Sequence, residues 1–107
     1  MTIYNKLVRD RVPEIIKSNG KHPSIRILED VEYIRELKNK CYEELEEYMK
    51  ADNVEDQIEE LSDLLEVIYA LAQWNGSSVE MVEEIRRRKK EERGGFKEKF
   101  YLIEVDD

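Results

Sequence analysis

Ten carboxylates fall within the 21 residues from Glu43 to Asp63, EELEEYMKADNVEDQIEELSD. Two pairs inside this stretch share a spacing: Glu44-x-x-Glu47 and Glu60-x-x-Asp63. On a helix, residues three apart lie on one face about a turn apart, so each pair presents two carboxylates side by side. Both outer residues, Glu44 and Asp63, and both inner residues, Glu47 and Glu60, are centred on the junction between Asn53 and Val54. An antiparallel hairpin turning there puts Glu47 level with Glu60 and Glu44 level with Asp63. At about 1.5 Å per residue, the first level lies roughly 10 Å from the turn. The four can converge if both pairs face one groove. The spacing leaves that facing angle open, and a solvated acidic hairpin is the alternative.

Four converging carboxylates repel one another, and without compensation some must protonate. Bound cations remove the conflict. An all-oxygen donor set selects hard ions, Mg²⁺ first, then Mn²⁺ or Ca²⁺. Zinc is disfavoured because no Cys/His cluster exists; the chain has one cysteine, Cys41, and one histidine, His22. A di-iron bundle would use Glu-x-x-His pairs, which are absent. Mg²⁺ usually keeps several waters and meets substrate phosphates, which points to metal-assisted phosphoanhydride hydrolysis. Glu43, Glu46, Asp56 and Glu59 suit the solvated side of the hairpin. Glu66 extends the row of Glu60 and Asp63 by three more residues and could be an additional ligand or support one.

The elements that position these residues follow from apolar periodicity. Val31, Ile34, Leu37, Cys41, Leu45 and Tyr48 predict a helix from about Asp30 to Met49. ADN at 51–53 breaks it, and Asp52 with Glu55 has capping-box spacing for a second helix ending near Trp74, where Gly76 follows. Ser77 with Glu80 has the same spacing before a third helix, about 78–93, stopped by RGG. A short helix near Pro13 to Ser18 precedes these, with Asp10 available as a cap and Asn19–Gly20 as a left-handed stop. The loop HPSIRIL connects it to the first long helix. TIYNKLV and KFYLIEV, at the two ends, have strand-like composition and could pair. The run LLEVIYALA, Leu64 to Ala72, is apolar on nearly every side, which a small monomer has little means to bury, so the helices are expected to pack across a subunit boundary. The expected fold is all-α: one domain over 1–107, an antiparallel bundle of three longer helices plus a short N-terminal one, completed by oligomerisation.

Composition narrows the function classes. The net charge is −8, with 41% charged residues. Residues 1–28 carry six basic and two acidic groups, residues 29–66 four and fifteen, and residues 86–99 eight and three. Bulk acidity argues against non-specific nucleic-acid binding. Basic segments flanking an acidic centre fit an anionic ligand bridged to carboxylates by cations, and equally fit plain self-neutralisation. No apolar run is long enough for a membrane span, and the start lacks a signal-peptide core. A single cysteine suits a reducing cytoplasm, with Cys41 read as a small buried hydrophobe.

With these motifs in place, EELEEY followed by EELSDLLEVIYALA resembles the E-x-x-E…E-x-x-D pattern of the MazG-like all-α nucleoside triphosphate pyrophosphohydrolases. YNKLVRDRVPEII and RGGF are similar to segments of the phosphoribosyl-ATP pyrophosphohydrolase-like subgroup. The resemblance implies a homodimer or homotetramer and Mg²⁺, with Mn²⁺ as a substitute, held by Glu44, Glu47, Glu60 and Asp63. It implies cleavage of a nucleotide between its α- and β-phosphates to a monophosphate and pyrophosphate, as in the clearing of unwanted nucleotides. Glu47 would also orient the attacking water as base. Lys6, Arg9, Lys89, Arg93 and Lys97 would neutralise phosphate charge. The rival expectations are a non-catalytic acidic helical interaction module and a nucleotide-binding regulator without turnover.

Overall fold

The computed structural model describes residues 1–106. The chain is all-helical, with α1 at Val12–Ser18, α2 at Asp30–Lys50, α3 at Val54–Trp74 and α4 at Val79–Arg93. The expected boundaries of all four lie within a residue or so of these. Among the described residues, no helix is long and apolar enough to cross a membrane.

The ends of the helices follow from local chemistry. α1 and α3 close alike. Gly20 and Gly76 take positive φ, 79° and 72°, and the next amide reaches back five residues, Lys21 N–H to Ile16 at 3.2 Å and Ser77 N–H to Ala72 at 3.0 Å. A left-handed residue is what this closure requires, and glycine adopts it without a Cβ penalty. The starts differ from expectation by one residue. Asn53, not Asp52, caps α3: its Oδ1 accepts from the Asp56 amide at 2.9 Å, and its Nδ2 donates to the Asp56 carboxylate at 2.8 Å. Ser78, not Ser77, caps α4, its Oγ accepting from the Met81 amide at 3.1 Å. In each case the capping residue is the last extended one before the helix, and Asn and Ser serve there as well as Asp. Asp10 caps nothing, because α1 begins after Arg11 without a side-chain cap bond.

α2 and α3, each of 21 residues, pack side by side along their length, and α4 touches α3. Gln57 donates to the Ala51 carbonyl at 3.1 Å across the turn. At the far end Tyr33 meets Trp74 edge to face, centroids 5.5 Å apart. These two residues are equidistant from the Asn53–Val54 junction, so the register inferred near the turn holds to the end of the pair. Leu37, Val67 and Ala72 are the buried apolar residues between these elements. Ile34, Cys41, Tyr48, Leu64 and Leu71 are half-buried around them. Cys41 is thus less enclosed than expected.

Much apolar surface has no neighbour. Val54, Ile58, Leu61 and Leu65 form an exposed stripe on α3, and Tyr42, Leu45 and Met49 one on α2. At 100° per residue, each stripe lies about 160° around its helix from the carboxylate pair on the same helix. The hairpin therefore has an acidic face and an apolar face. The accessible surface is 10270 Å², against about 6,300 Å² for a compact monomer of this mass. The radius of gyration is 18.4 Å, against about 13 Å for a compact domain of this length.

The expected terminal strand pair is not formed: the described residues contain no strand. Ile3 and Tyr4 at one end and Phe100 to Ile103 at the other are exposed. A strand needs a partner for its backbone groups, and neither terminal segment supplies one to the other.

Candidate metal centre

The hairpin register brings Glu44 of α2 together with Glu60 and Asp63 of α3. One oxygen from each lies within 4.8 Å of the other two. All three are half-buried, with the Glu44 side chain only 16% exposed. Of the four glutamates in EELEE, Glu44 alone joins α3 in this cluster. Glu47 is exposed and stands outside the triad, but its charge bears on both Glu44 and Glu60.

The electrostatics record the crowding. Glu44 titrates above the ordinary carboxylate value, first because burial penalises its charge, then because Asp63, Glu43 and Glu47 are near; Lys40 opposes the rise. Glu60 is raised as well, by desolvation first, then by Asp63, Glu44, Glu47 and Glu59. Both shifts mark a cluster whose negative charge is incompletely balanced. Three oxygen donors without nitrogen or sulfur fit a hard divalent cation.

Two cations of the N-terminal segment reach this face. Arg9 Nη2 donates to Asp63 Oδ1 at 2.9 Å, and Lys6 Nζ lies 3.1 Å from Glu43 Oε1. Lys40 on α2 lies 3.5 Å from Glu43 and 3.9 Å from Glu44. Glu43, expected on the solvated side, is half-buried instead. Burial pushes its pKa up, but the Lys6 hydrogen bond and the charges of Lys40 and Lys6 outweigh this and lower it. Sequence reading passed over Lys40, although its three- and four-residue spacing to Glu43 and Glu44 was the available signal.

The other expected site residues are not gathered here. Glu66, expected as an additional ligand or support, is exposed and outside the triad, whereas Glu46, Asp56 and Glu59 are exposed as the solvated side requires. Lys89 and Arg93 on α4, and Lys97 beyond it, are exposed, and none forms an ion pair with the hairpin among the described residues. The ion pair α4 does make is local, Glu83 with Arg86.

The comparisons with known proteins give the chain a relative but no function. It is similar to an uncharacterized protein of Mycolicibacterium smegmatis (strain ATCC 700084 / mc(2)155), with 44% identity over 54 residues. The match covers 50% of this chain and 55% of that protein, so the chain spans little more than half the length of its relative. No family model matches, and no solved structure does.

Proposed function

We propose that the protein is a Mg²⁺-dependent nucleotide pyrophosphohydrolase of the MazG-like kind, converting a nucleoside triphosphate or related nucleotide to its monophosphate and pyrophosphate. The observation that carries this reading is the meeting of Glu44, Glu60 and Asp63 within 4.8 Å across two helices. Adjacent glutamates on one helix are common, whereas three half-buried carboxylates from two helices need a cation or a proton to coexist. Glu44, Glu60 and Asp63 hold the ion, with Mn²⁺ as a substitute, and Glu47 completes the set from the open side. A bound Mg²⁺ supplies neutralisation of phosphate charge and activation of water. Glu47, exposed beside the triad, orients the water as base. Lys6 and Arg9, already on this face, are the phosphate partners the geometry favours. Lys89, Arg93 and Lys97 serve only if substrate or a second subunit brings α4 to it. The role that suits this chemistry is clearing unwanted nucleotides in the cytoplasm.

The working form is a homo-oligomer, most simply a homodimer. Its support is the excess of roughly 4,000 Å² over a compact monomer's surface, together with the apolar face of Tyr42, Leu45, Met49, Ile58, Leu61 and Leu65. An obligate interface buries about 2,000–5,000 Å². Two hairpins joined through these faces make a four-helix arrangement and leave both acidic faces open to substrate.

The test is pyrophosphate release from a panel of ribo- and deoxyribonucleoside triphosphates with Mg²⁺. Turnover is expected, and Glu60→Ala or Asp63→Ala removes it while helical content persists. Full activity in those variants rejects the site. Neither turnover nor stabilisation by Mg²⁺ across the panel favours an interaction module instead.

A further inference from the structure

The acidic face already carries a cation of the chain's own. Arg9 donates to Asp63 Oδ1 at 2.9 Å from a position 54 residues away in sequence. The other side-chain hydrogen bonds among the described residues span six residues or fewer. The neighbouring Lys6 pairs with Glu43 on α2. The N-terminal segment is thus strapped across the hairpin by one charge pair to each helix. The two pairs are not equivalent. Glu43 lies outside the triad, whereas Asp63 is one of its three members.

A guanidinium on Asp63 and a divalent cation in the triad compete for the same carboxylate. They also repel each other at contact distance, where Coulomb forces are strongest. Arg9 and Asp63 are both partly open to water, with side chains 59% and 44% exposed. Water screens such a pair, so little holds it closed against a competing ion. We propose that Arg9 is a displaceable internal counter-ion, which occupies Asp63 in the cation-free protein and leaves it when a divalent cation enters the triad, releasing the N-terminal strap. This rests on the reading of Glu44, Glu60 and Asp63 as a divalent-cation site.

The experiment is titration of Mn²⁺ alone, without nucleotide, into the full chain and into Arg9→Gln and Lys6→Gln, with circular dichroism confirming equal helicity. Arg9→Gln binds Mn²⁺ about two- to fivefold more tightly than the unaltered chain, the range an exposed ion pair commands. Lys6→Gln gains less, because its partner is not a triad member. Chymotryptic cleavage after Tyr4 and Leu7 quickens when Mn²⁺ is added to the unaltered chain, and is already fast in Arg9→Gln. Equal Mn²⁺ affinity in the unaltered chain and Arg9→Gln overturns the strap and leaves the metal site standing. An equal gain in Lys6→Gln reduces the effect to general charge and overturns it as well. No Mn²⁺ binding by any of the three proteins overturns the metal site and the strap together.

Discussion

α3 and α4 follow one another in the chain and begin alike, each capped by a side chain that accepts from the amide three residues on. Their fates differ. α3 lies against α2 along its length, buries Val67 and Ala72, and holds Glu60 and Asp63 against Glu44. α4 buries no residue, and the ion pair it makes among the described residues, Glu83 with Arg86, lies along its own surface. A spacing on a helix becomes a site only when a second helix fixes the direction in which it points. The same kind of charge-rich sequence is therefore a converging cluster on α3 and a solvated surface on α4.

The contrast is sharpest in turnover. Asp63→Asn or Glu60→Gln is expected to lower Mg²⁺-dependent pyrophosphate release by at least about 10²-fold, the scale of losing a main electrostatic element of catalysis. Lys89→Gln with Arg93→Gln is expected to lower it by less than about tenfold, as loss of exposed charge contacts would. Steady-state rates on the preferred nucleotide decide it. A collapse in the α4 double variant equal to that of Asp63→Asn would mean that α4 completes the site, from this subunit or another.

Stability should divide along the same line. Leu37, the most buried side chain at 4% exposure, packs where α2 meets α3. Leu37→Ala should cost about 2–5 kcal/mol through lost burial and the cavity left behind. Ile85, exposed on α4, should cost under about 1 kcal/mol as Ile85→Ala, mainly through residual contacts. Denaturant unfolding at fixed protein concentration measures both. A large loss at Ile85 would place that face of α4 in a subunit interface.

The difference between the two helices also governs what the sequence made legible. The register about Asn53–Val54 was readable because two helices of equal length joined by a tight turn leave little freedom along their axes. Tyr33 against Trp74 shows that freedom closed at the far end. The facing angle was not readable, since it depends on how the side chains buried between the helices, Leu37 on α2 and Val67 on α3, pack into the interface. That angle admits Glu44 to the triad and leaves Glu47 outside. The caps were misplaced by one residue because Asp52, Asn53, Ser77 and Ser78 are all competent, and the backbone conformation chooses among them. The terminal segments have strand composition, but a strand is defined by its partner, and composition does not name one.

The two regions should answer pH with opposite signs. Glu44 and Glu60 are raised above the ordinary carboxylate value, so the folded chain holds their protons to higher pH than the unfolded chain does. Their contribution to stability therefore declines as pH rises from the ordinary value through the raised one. Mg²⁺ should restore it above that window. Glu83 on α4 is lowered, first by its hydrogen bond from Arg86, with desolvation opposing. Its contribution is present above the ordinary carboxylate value and is lost as pH falls through the lowered one. Melting curves across mildly acidic pH, for the unaltered chain, Glu60→Gln and Glu83→Gln, separate the two. Glu60→Gln should flatten the decline, and Glu83→Gln should reduce the acid-side loss.

The smallest expected effect tests the comparison most directly, because the two caps are chemically alike. Asn53→Ala removes two hydrogen bonds to Asp56 and Ser78→Ala removes one to Met81. Each should cost about 1 kcal/mol or less of stability. Their consequences for the triad should differ. Asn53 sits in the turn that fixes the axial register of α2 against α3, so loosening it shifts Glu44 relative to Glu60 and Asp63. Ser78 starts a helix whose displacement leaves those three residues where they are. Mn²⁺ affinity should therefore weaken severalfold in Asn53→Ala and stay unchanged in Ser78→Ala, at matched loss of stability. Equal weakening in both would mean that the triad follows global stability rather than the hairpin register. In that case the distinction between a helix with a partner along its length and one without would not explain where the site is.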